Sequence, residues 1–130
     1  MAYYLDTSAA VKLVVGEPES GALTTWAADH ADDVVSSDLL RTELLRATRR
    51  GAPEQMPRAR AVLDAIVLLS LPTETFEYAA ELEPSLLRSL DAIHLAAALD
   101  LGDDLDGIVT YDERLAAGAA LHGITVIAPA

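Results

Sequence analysis

The chain contains no cysteine, and this absence excludes disulfide bonds, thiolate metal sites and cysteine nucleophiles together. Any metal site must therefore use oxygen or imidazole ligands. No apolar run approaches the roughly 20 residues that a membrane span requires, and the first residues show neither the basic start nor the cleavage site of a signal peptide. From these absences we expect a cytoplasmic protein.

Several motifs that mark well-known α/β activities are also missing. No G-x-G-x-x-G follows a predicted strand and no G-x-x-x-x-G-K-[ST] occurs, which disfavours dinucleotide and P-loop nucleotide binding. The nucleophile motif G-x-S-x-G is absent as well. Asp6 is followed two positions later by Ser8 rather than by a second aspartate, and Lys12 is the sole lysine. A phosphatase with an aspartyl nucleophile and a receiver domain are therefore both disfavoured.

Positive charge is scarce, because nine Lys and Arg residues stand against 21 Asp and Glu and give a net charge of -12. This balance disfavours a broad basic surface for nucleic acid. Six of the nine cations nevertheless fall within twenty residues of sequence: Arg41, Arg46, Arg49, Arg50, Arg58 and Arg60. The cluster is either a local basic patch or a solvated helix face whose arginines balance nearby acids, and charge alone favours the second interpretation.

Apolar residues make up 52% of the 130 positions, and their periodicity predicts five strands separated by helices. We expect residues 1–130 to form a single domain. The predicted strands lie near residues 2–5, 34–36, 67–71, 107–110 and 125–128, and the strongest helical pattern runs over 86–101. Alternating strands and helices predict an α/β fold, a parallel five-stranded sheet flanked by helices on both faces, with the first strand central.

Four acidic residues fall where this architecture places ligands. Asp6 ends the first predicted strand and Asp112 follows the fourth, whereas Glu43 lies on the helix after the second strand and Asp91 opens the helix before the fourth. Ligands of open α/β sheets bind beyond the carboxyl ends of the strands, so all four side chains can converge at one edge. Carboxylates gathered without cations repel one another, and such a cluster indicates a site for hard divalent cations.

Each of these acids also has an ordinary structural interpretation. Asp6 and Asp112 can simply cap the helices that follow them. Glu43 can be a surface residue paired with a neighbouring arginine. Asp91 can be an acid of the first helical turn that interacts with the helix dipole. His94, three residues after Asp91, is more typical of a core or supporting residue than of a catalytic base.

Four local sequences occur in order along nearly the whole chain: YLDTSA at 4–9, RTEL at 41–44, LDAIHLA at 90–96 and VTYDERL at 109–115. Each is weakly specific alone. Together they resemble the PIN-domain ribonucleases, and specifically the VapC-type toxins of bacterial toxin-antitoxin pairs. The resemblance implies a PIN-like fold and metal-dependent endonucleolytic cleavage of RNA.

The resemblance also implies roles for individual residues. The catalytic and metal-binding side chains would be Asp6, Glu43, Asp91 and Asp112, which would bind one or two Mg²⁺ or Mn²⁺ ions. Hydroxyl groups near them would come from Thr7, Ser8 and Thr110. The RNA backbone would be guided past Glu43 by the basic helix that carries Arg41, Arg46, Arg49 and Arg50.

The partners that the resemblance implies are an RNA substrate, a second copy of the chain in a homodimer, and a cognate VapB-like antitoxin whose tail covers the acidic groove. The strongly acidic total charge suits a basic partner. The contrasting hypothesis is a non-catalytic PIN-like module for protein interaction, whose acids are too poorly placed to hold a metal.

Overall fold

The computed structural model describes residues 1–130, and five parallel strands form its one sheet. The strands are β1 (Ala2–Leu5), β2 (Val34–Ser37), β3 (Val67–Leu69), β4 (Leu105–Val109) and β5 (Val126–Ile127). Their order across the sheet is β3-β2-β1-β4-β5, and every neighbouring pair is parallel. The first strand is therefore central, as its apolar sequence predicts.

Seven α-helices connect the strands and cover the sheet. They are α1 (Thr7–Val14), α2 (Ser20–Asp29), α3 (Leu39–Gly51), α4 (Met56–Ala65), α5 (Thr73–Glu81), α6 (Ser89–Leu99) and α7 (Glu113–Leu121). Two single turns of 3₁₀-helix, Pro53–Gln55 and Gly102–Asp104, complete the connections. None of these helices combines the length and the apolar character that a membrane crossing requires.

The core lies on both faces of the sheet because alternate side chains of a strand point in opposite directions. Tyr4 packs among buried residues of α5, α6 and α7, whereas its neighbour Leu5 packs among those of α1, α2, α3 and α4. Both side chains are fully buried. The predicted fold class, a single parallel five-stranded sheet with helices on both faces, is thus confirmed.

Several element boundaries differ from the sequence prediction. Strands β3 and β5 are shorter than expected, and the starts of α6 and β4 are shifted. The last helix before β4 begins at Ser89 rather than at residue 86, because the backbone of Arg88 is extended, with φ −64° and ψ 151°. The preceding segment contains Pro84, which cannot donate a helical hydrogen bond. Strand β4 begins at Leu105, two residues earlier than predicted, since pairing with Ala2 of the adjacent strand extends it.

The strand order creates a crevice between β1 and β4. From β1 the chain continues towards β2 and β3 on one side, while β4 continues to β5 on the other. Such a switch point leaves a ligand-binding crevice beyond the carboxyl ends of the two central strands. Asp6 directly follows β1, and residues 110–112 directly follow β4. The fold therefore places two of the predicted acids at this crevice.

Candidate active site

Asp6 is the most deeply buried of the predicted acids, with 3% of its surface exposed. Its Oδ1 atom accepts a 2.9 Å hydrogen bond from the backbone N–H of Ala9 and so caps α1. The hydroxyl of Thr110 donates to Oδ2 at 2.6 Å, and the hydroxyl of Ser8 lies 2.8 and 2.9 Å from the two oxygens. Burial raises the pKa of Asp6, and these hydrogen bonds offset the increase only in part. Asp6 therefore caps α1, and the same carboxylate lies at the end of β1, where the site is predicted.

The two carboxylate oxygens of Asp112 have different hydrogen-bond partners. Oδ1 accepts hydrogen bonds from the backbone N–H groups of Arg114 and Leu115 at 2.9 and 3.0 Å and so caps α7. Oδ2 faces the crevice and contacts Arg88 at 2.9 Å. The backbone N–H of Asp112 also donates to the Thr110 hydroxyl at 3.1 Å, so Thr110 connects this residue to Asp6.

Glu43 lies on α3 and faces the helix that follows β1 rather than a surface arginine. Its Oε1 atom accepts a 2.6 Å hydrogen bond from the hydroxyl of Thr7 and contacts Nε2 of His94, also at 2.6 Å. Burial acts to raise the pKa of Glu43, but the hydrogen bonds from His94 and Thr7 and the charges of His94 and Arg88 outweigh it, and the pKa falls below its usual value. The alternative interpretation, in which Glu43 is a surface residue paired with a neighbouring arginine, does not describe this environment.

His94 fixes the orientation of Glu43 from the core. Only 2% of its surface is exposed. Its Nδ1 atom lies 2.8 Å from the hydroxyl of Tyr4, which donates in turn to the hydroxyl of Ser37 at 2.9 Å. A buried hydrogen-bonded chain thus runs from β2 through β1 and α6 to Glu43. Such a chain restricts the rotamer of a side chain at its end.

Asp91 lies in the first turn of α6, where Arg88 neutralises it. The Nε and Nη2 atoms of Arg88 both lie 2.9 Å from Asp91 Oδ2, and the same Nη2 lies 2.9 Å from Asp112 Oδ2. The expectation that the acids gather without a cation is therefore wrong. Sequence reasoning missed Arg88, although its position three residues before Asp91 is a spacing at which helical side chains meet.

Hydrogen bonds and ion pairs join three of the predicted acids, with Thr110 between Asp6 and Asp112 and Arg88 between Asp112 and Asp91. The fourth acid, Glu43, contacts Thr7 and His94 instead. As these side chains stand, no group of three or more His, Asp or Glu residues is arranged to hold a metal ion. The donors facing the crevice are nevertheless carboxylate and hydroxyl oxygens, which hard divalent cations prefer. A guanidinium already bridges two of the carboxylates. The donor chemistry fits a divalent cation, whereas its coordination shell is not preformed.

The arginines of α3 do not share one environment. Arg46 and Arg50 lie three and seven residues after Glu43, on the same helix face, and line a groove of about 330 Å³ beside it. Arg41 instead forms an exposed ion pair with Asp38, with 2.9 Å between Nε and Oδ1. Arg49 is exposed and lies outside this groove. Two of the four predicted RNA-binding arginines therefore lie next to the acidic site.

Comparison with known proteins agrees with this fold. A family model for the PIN domain matches residues 3–121. An α/β sheet with acidic side chains at its central switch point is the architecture expected of this class, and the chain belongs to the PIN-domain family.

Two relatives from Mycobacterium tuberculosis place the chain among the VapC proteins of that family. It is 42% identical to Ribonuclease VapC47 of strain CDC 1551 / Oshkosh, over 97% of this chain and 96% of the relative. It is 43% identical to Ribonuclease VapC46 of strain ATCC 25618 / H37Rv, over 98% of both proteins.

Two solved structures share the fold at low sequence identity. One is Mycobacterium tuberculosis VapC20, described as a toxin that cleaves the sarcin-ricin loop, with a TM-score of 0.80, 17% identity and coverage of 98% of this chain and 100% of that chain. The other is VapBC2 from Rickettsia felis bound to a DNA fragment from its promoter, with a TM-score of 0.73, 14% identity and full coverage of both chains. These two similarities support the fold alone.

Proposed function

We propose that this chain is a metal-dependent endoribonuclease, the toxin component of a type II toxin-antitoxin pair of the VapBC kind. One observation carries the proposal. The carboxylate of Asp6 lies buried at the switch point of the sheet, and Thr110 joins it to Asp112 at the end of the neighbouring strand. The names of relatives that are 42% and 43% identical over nearly the whole chain support the same activity.

The residues proposed to hold the metal are Asp6, Glu43, Asp91 and Asp112. When bound there, one or two Mg²⁺ or Mn²⁺ ions supply Lewis acidity and positive charge for the hydrolysis of a phosphodiester bond. Asp6 and Glu43 are held by hydroxyl groups, from Thr110 and Thr7 respectively, so their oxygens are oriented before any ligand arrives. No side chain needs to form a covalent intermediate.

The basic face of α3 would bind the substrate. We propose that Arg41, Arg46, Arg49 and Arg50 contact RNA phosphates, with Arg46 and Arg50 nearest to the site because they line the groove beside Glu43. The apolar side chain of Leu90 lines the same groove and is 47% exposed. A wall that joins guanidinium groups to an apolar surface suits a nucleotide, which presents both a phosphate and a base.

The proposed protein partners follow from charge and family. With a net charge of -12, the chain favours a basic partner, and a VapB-like antitoxin whose tail covers the acidic crevice would meet this requirement. We also propose that the chain forms a homodimer and that residues 1–130 form one PIN-like domain.

The test is cleavage of RNA by the purified chain without an antitoxin. We expect cleavage with Mg²⁺ or Mn²⁺, none in excess chelator, and none by Asp6→Asn under any of these conditions. Asp103→Asn, which changes an exposed acid on a 3₁₀ turn, is the matched control and should cleave like the parent. Sequencing the ends of the products identifies the sites that are cut. Cleavage that persists in chelator or in Asp6→Asn would refute the proposal.

The contrasting hypothesis of a non-catalytic interaction module makes a different prediction. A module would show no Mn²⁺ binding at millimolar concentration in a calorimetric titration and no metal-dependent cleavage. The proposed nuclease would show both, and Asp6→Asn would weaken the Mn²⁺ binding and abolish the cleavage.

A further inference from the structure

The guanidinium of Arg88 occupies an unusual position for a surface cation. It lies at the start of α6 and contacts two carboxylates that belong to different elements, Asp91 of its own helix and Asp112 at the end of the β4 connection, both at 2.9 Å from Nη2. The negative charges of Asp91, Asp112 and Glu43 all raise the pKa of Arg88. Arg88 is therefore the cation that neutralises part of the acidic site in the absence of metal.

The exposure of the three side chains indicates that this contact can be broken. The side chain of Arg88 is 61% exposed, whereas those of Asp91 and Asp112 are 14% and 23% exposed. Water and salt screen an exposed ion pair, and a long side chain loses rotamer freedom by forming it, so such pairs are weak. The cap of α7 holds Oδ1 of Asp112 through two backbone N–H groups, and the backbone of Asp91 lies within α6, whereas the guanidinium of Arg88 has open solvent beside it.

A divalent cation on Asp91 and Asp112 would compete with Arg88 for the same oxygens. Both Oδ2 atoms already lie against Nη2, and a positive charge at this distance repels a second cation. On the basis of the proposed function, we propose that Arg88 holds Asp91 and Asp112 in the metal-free chain and must release both before a divalent ion binds there. Arg88 is thus a positioning residue that sets the affinity of the site for metal.

Arg114 provides a matched control for charge. It lines the same open groove of about 400 Å³ as Arg88, Asp112 and Glu113, and it forms no ion pair in the structure. Arg88→Gln and Arg114→Gln therefore remove the same charge from the same groove, but only the first removes the bridge. Arg88→Lys keeps the charge and loses the planar fork that reaches two carboxylates.

The experiment is a calorimetric titration of the full chain with Mn²⁺, for the parent and the three variants. We expect Arg88→Gln to bind Mn²⁺ about five- to tenfold more tightly than the parent, since a unit charge close to the ion is removed. The Mn²⁺ affinity of Arg88→Lys should lie between those of the parent and Arg88→Gln, and the affinity of Arg114→Gln should remain close to that of the parent. In chelator, Arg88→Gln should melt about 2–4 °C below the parent, because the two acids lose their cation, and Mn²⁺ should reverse that order.

The possible failures are distinguishable. If the parent binds Mn²⁺ and Arg88→Gln binds it equally or more weakly, the competitive role of Arg88 is wrong and the proposed nuclease site stands. Equal tightening by Arg114→Gln would also overturn the inference, because it would assign the effect to overall charge. If neither the parent nor Arg88→Gln binds Mn²⁺, the proposed function fails and the inference fails with it.

Discussion

The hydroxyl of Thr110 donates a 2.6 Å hydrogen bond to the carboxylate of Asp6, which lies 104 residues earlier in the sequence. Both side chains are almost completely buried, and they stand at the ends of the two central strands. A buried carboxylate is stable only when its oxygens find donors, so this hydrogen bond connects the integrity of the site to the stability of the fold.

Thr110→Val tests that connection, because valine has nearly the same shape as threonine and lacks the donor. We expect the free energy of unfolding to fall by about 1–3 kcal/mol, the range for a buried polar group that loses its partner. Urea unfolding in chelator measures the change. Thr110→Ser keeps the hydroxyl, so its free energy of unfolding should fall by less. A valine variant as stable as the parent would contradict the prediction.

Asp6→Asn should change the pH dependence of stability. The folded-state pKa of Asp6 is raised, chiefly by burial, so the folded chain holds this proton more tightly than the unfolded chain does. The contribution of Asp6 to stability is therefore greatest below the ordinary carboxyl pKa of about 4 and is lost as pH rises through the folded-state pKa. Because the amide that replaces the carboxyl group stays uncharged at every pH, the metal-free variant should be more stable than the parent at neutral pH.

The measurement is the urea midpoint of both proteins in chelator between pH 4 and 8. All other groups titrate in both proteins, so the difference between the two curves isolates Asp6. We expect that difference to grow in favour of Asp6→Asn as pH rises. A difference that is independent of pH would show that the charge of Asp6 costs the folded state nothing.

The arginines of α3 should differ in their effect on RNA binding. Replacement of Arg46 and Arg50 by Gln should weaken binding and lower the slope of log affinity against log salt by about 0.7 for each lost phosphate contact. The same change at Arg41 and Arg49, which lie outside the groove beside Glu43, should have a smaller effect. Binding is measured in chelator, so that the RNA stays intact. Equal slopes for the two double variants would refute the groove assignment.

The packing of β4 against β5 can be tested at Gly107. A Cβ atom on Gly107 would lie 2.7 Å from Cδ1 of Ile127 and 3.0 Å from the backbone oxygen of Thr125. We expect Gly107→Ala to lower the free energy of unfolding by about 1–3 kcal/mol, as overpacking does. Gly21→Ala is the control, since a Cβ on Gly21 would meet nothing within 4 Å and alanine favours its helix by up to about 1 kcal/mol. Thermal melts of both variants decide the comparison.

The sequence predicted the fold class because the signals for strands and helices are local. The apolar run at Ala2–Leu5 identified a central strand, and the alternation of strands with helices predicted a parallel sheet. The predicted ends of elements were less accurate where pairing with a neighbouring strand determines them. Strand β4 begins early because Ala2 pairs with Leu105, and no pattern within residues 105–109 reveals that neighbour.

The sequence also determined which acids stand at the ends of β1 and β4, since a strand's carboxyl end is readable from its own residues. Only the tertiary structure decided what each acid contacts. Arg88 reaches Asp112, 24 residues away, because the segment before α6 passes the start of α7. Glu43 meets His94 across 51 residues because α3 and α6 both pack against β2. Periodicity records the face on which a side chain lies, whereas its partners depend on how separate elements pack, and that information is spread over the whole chain.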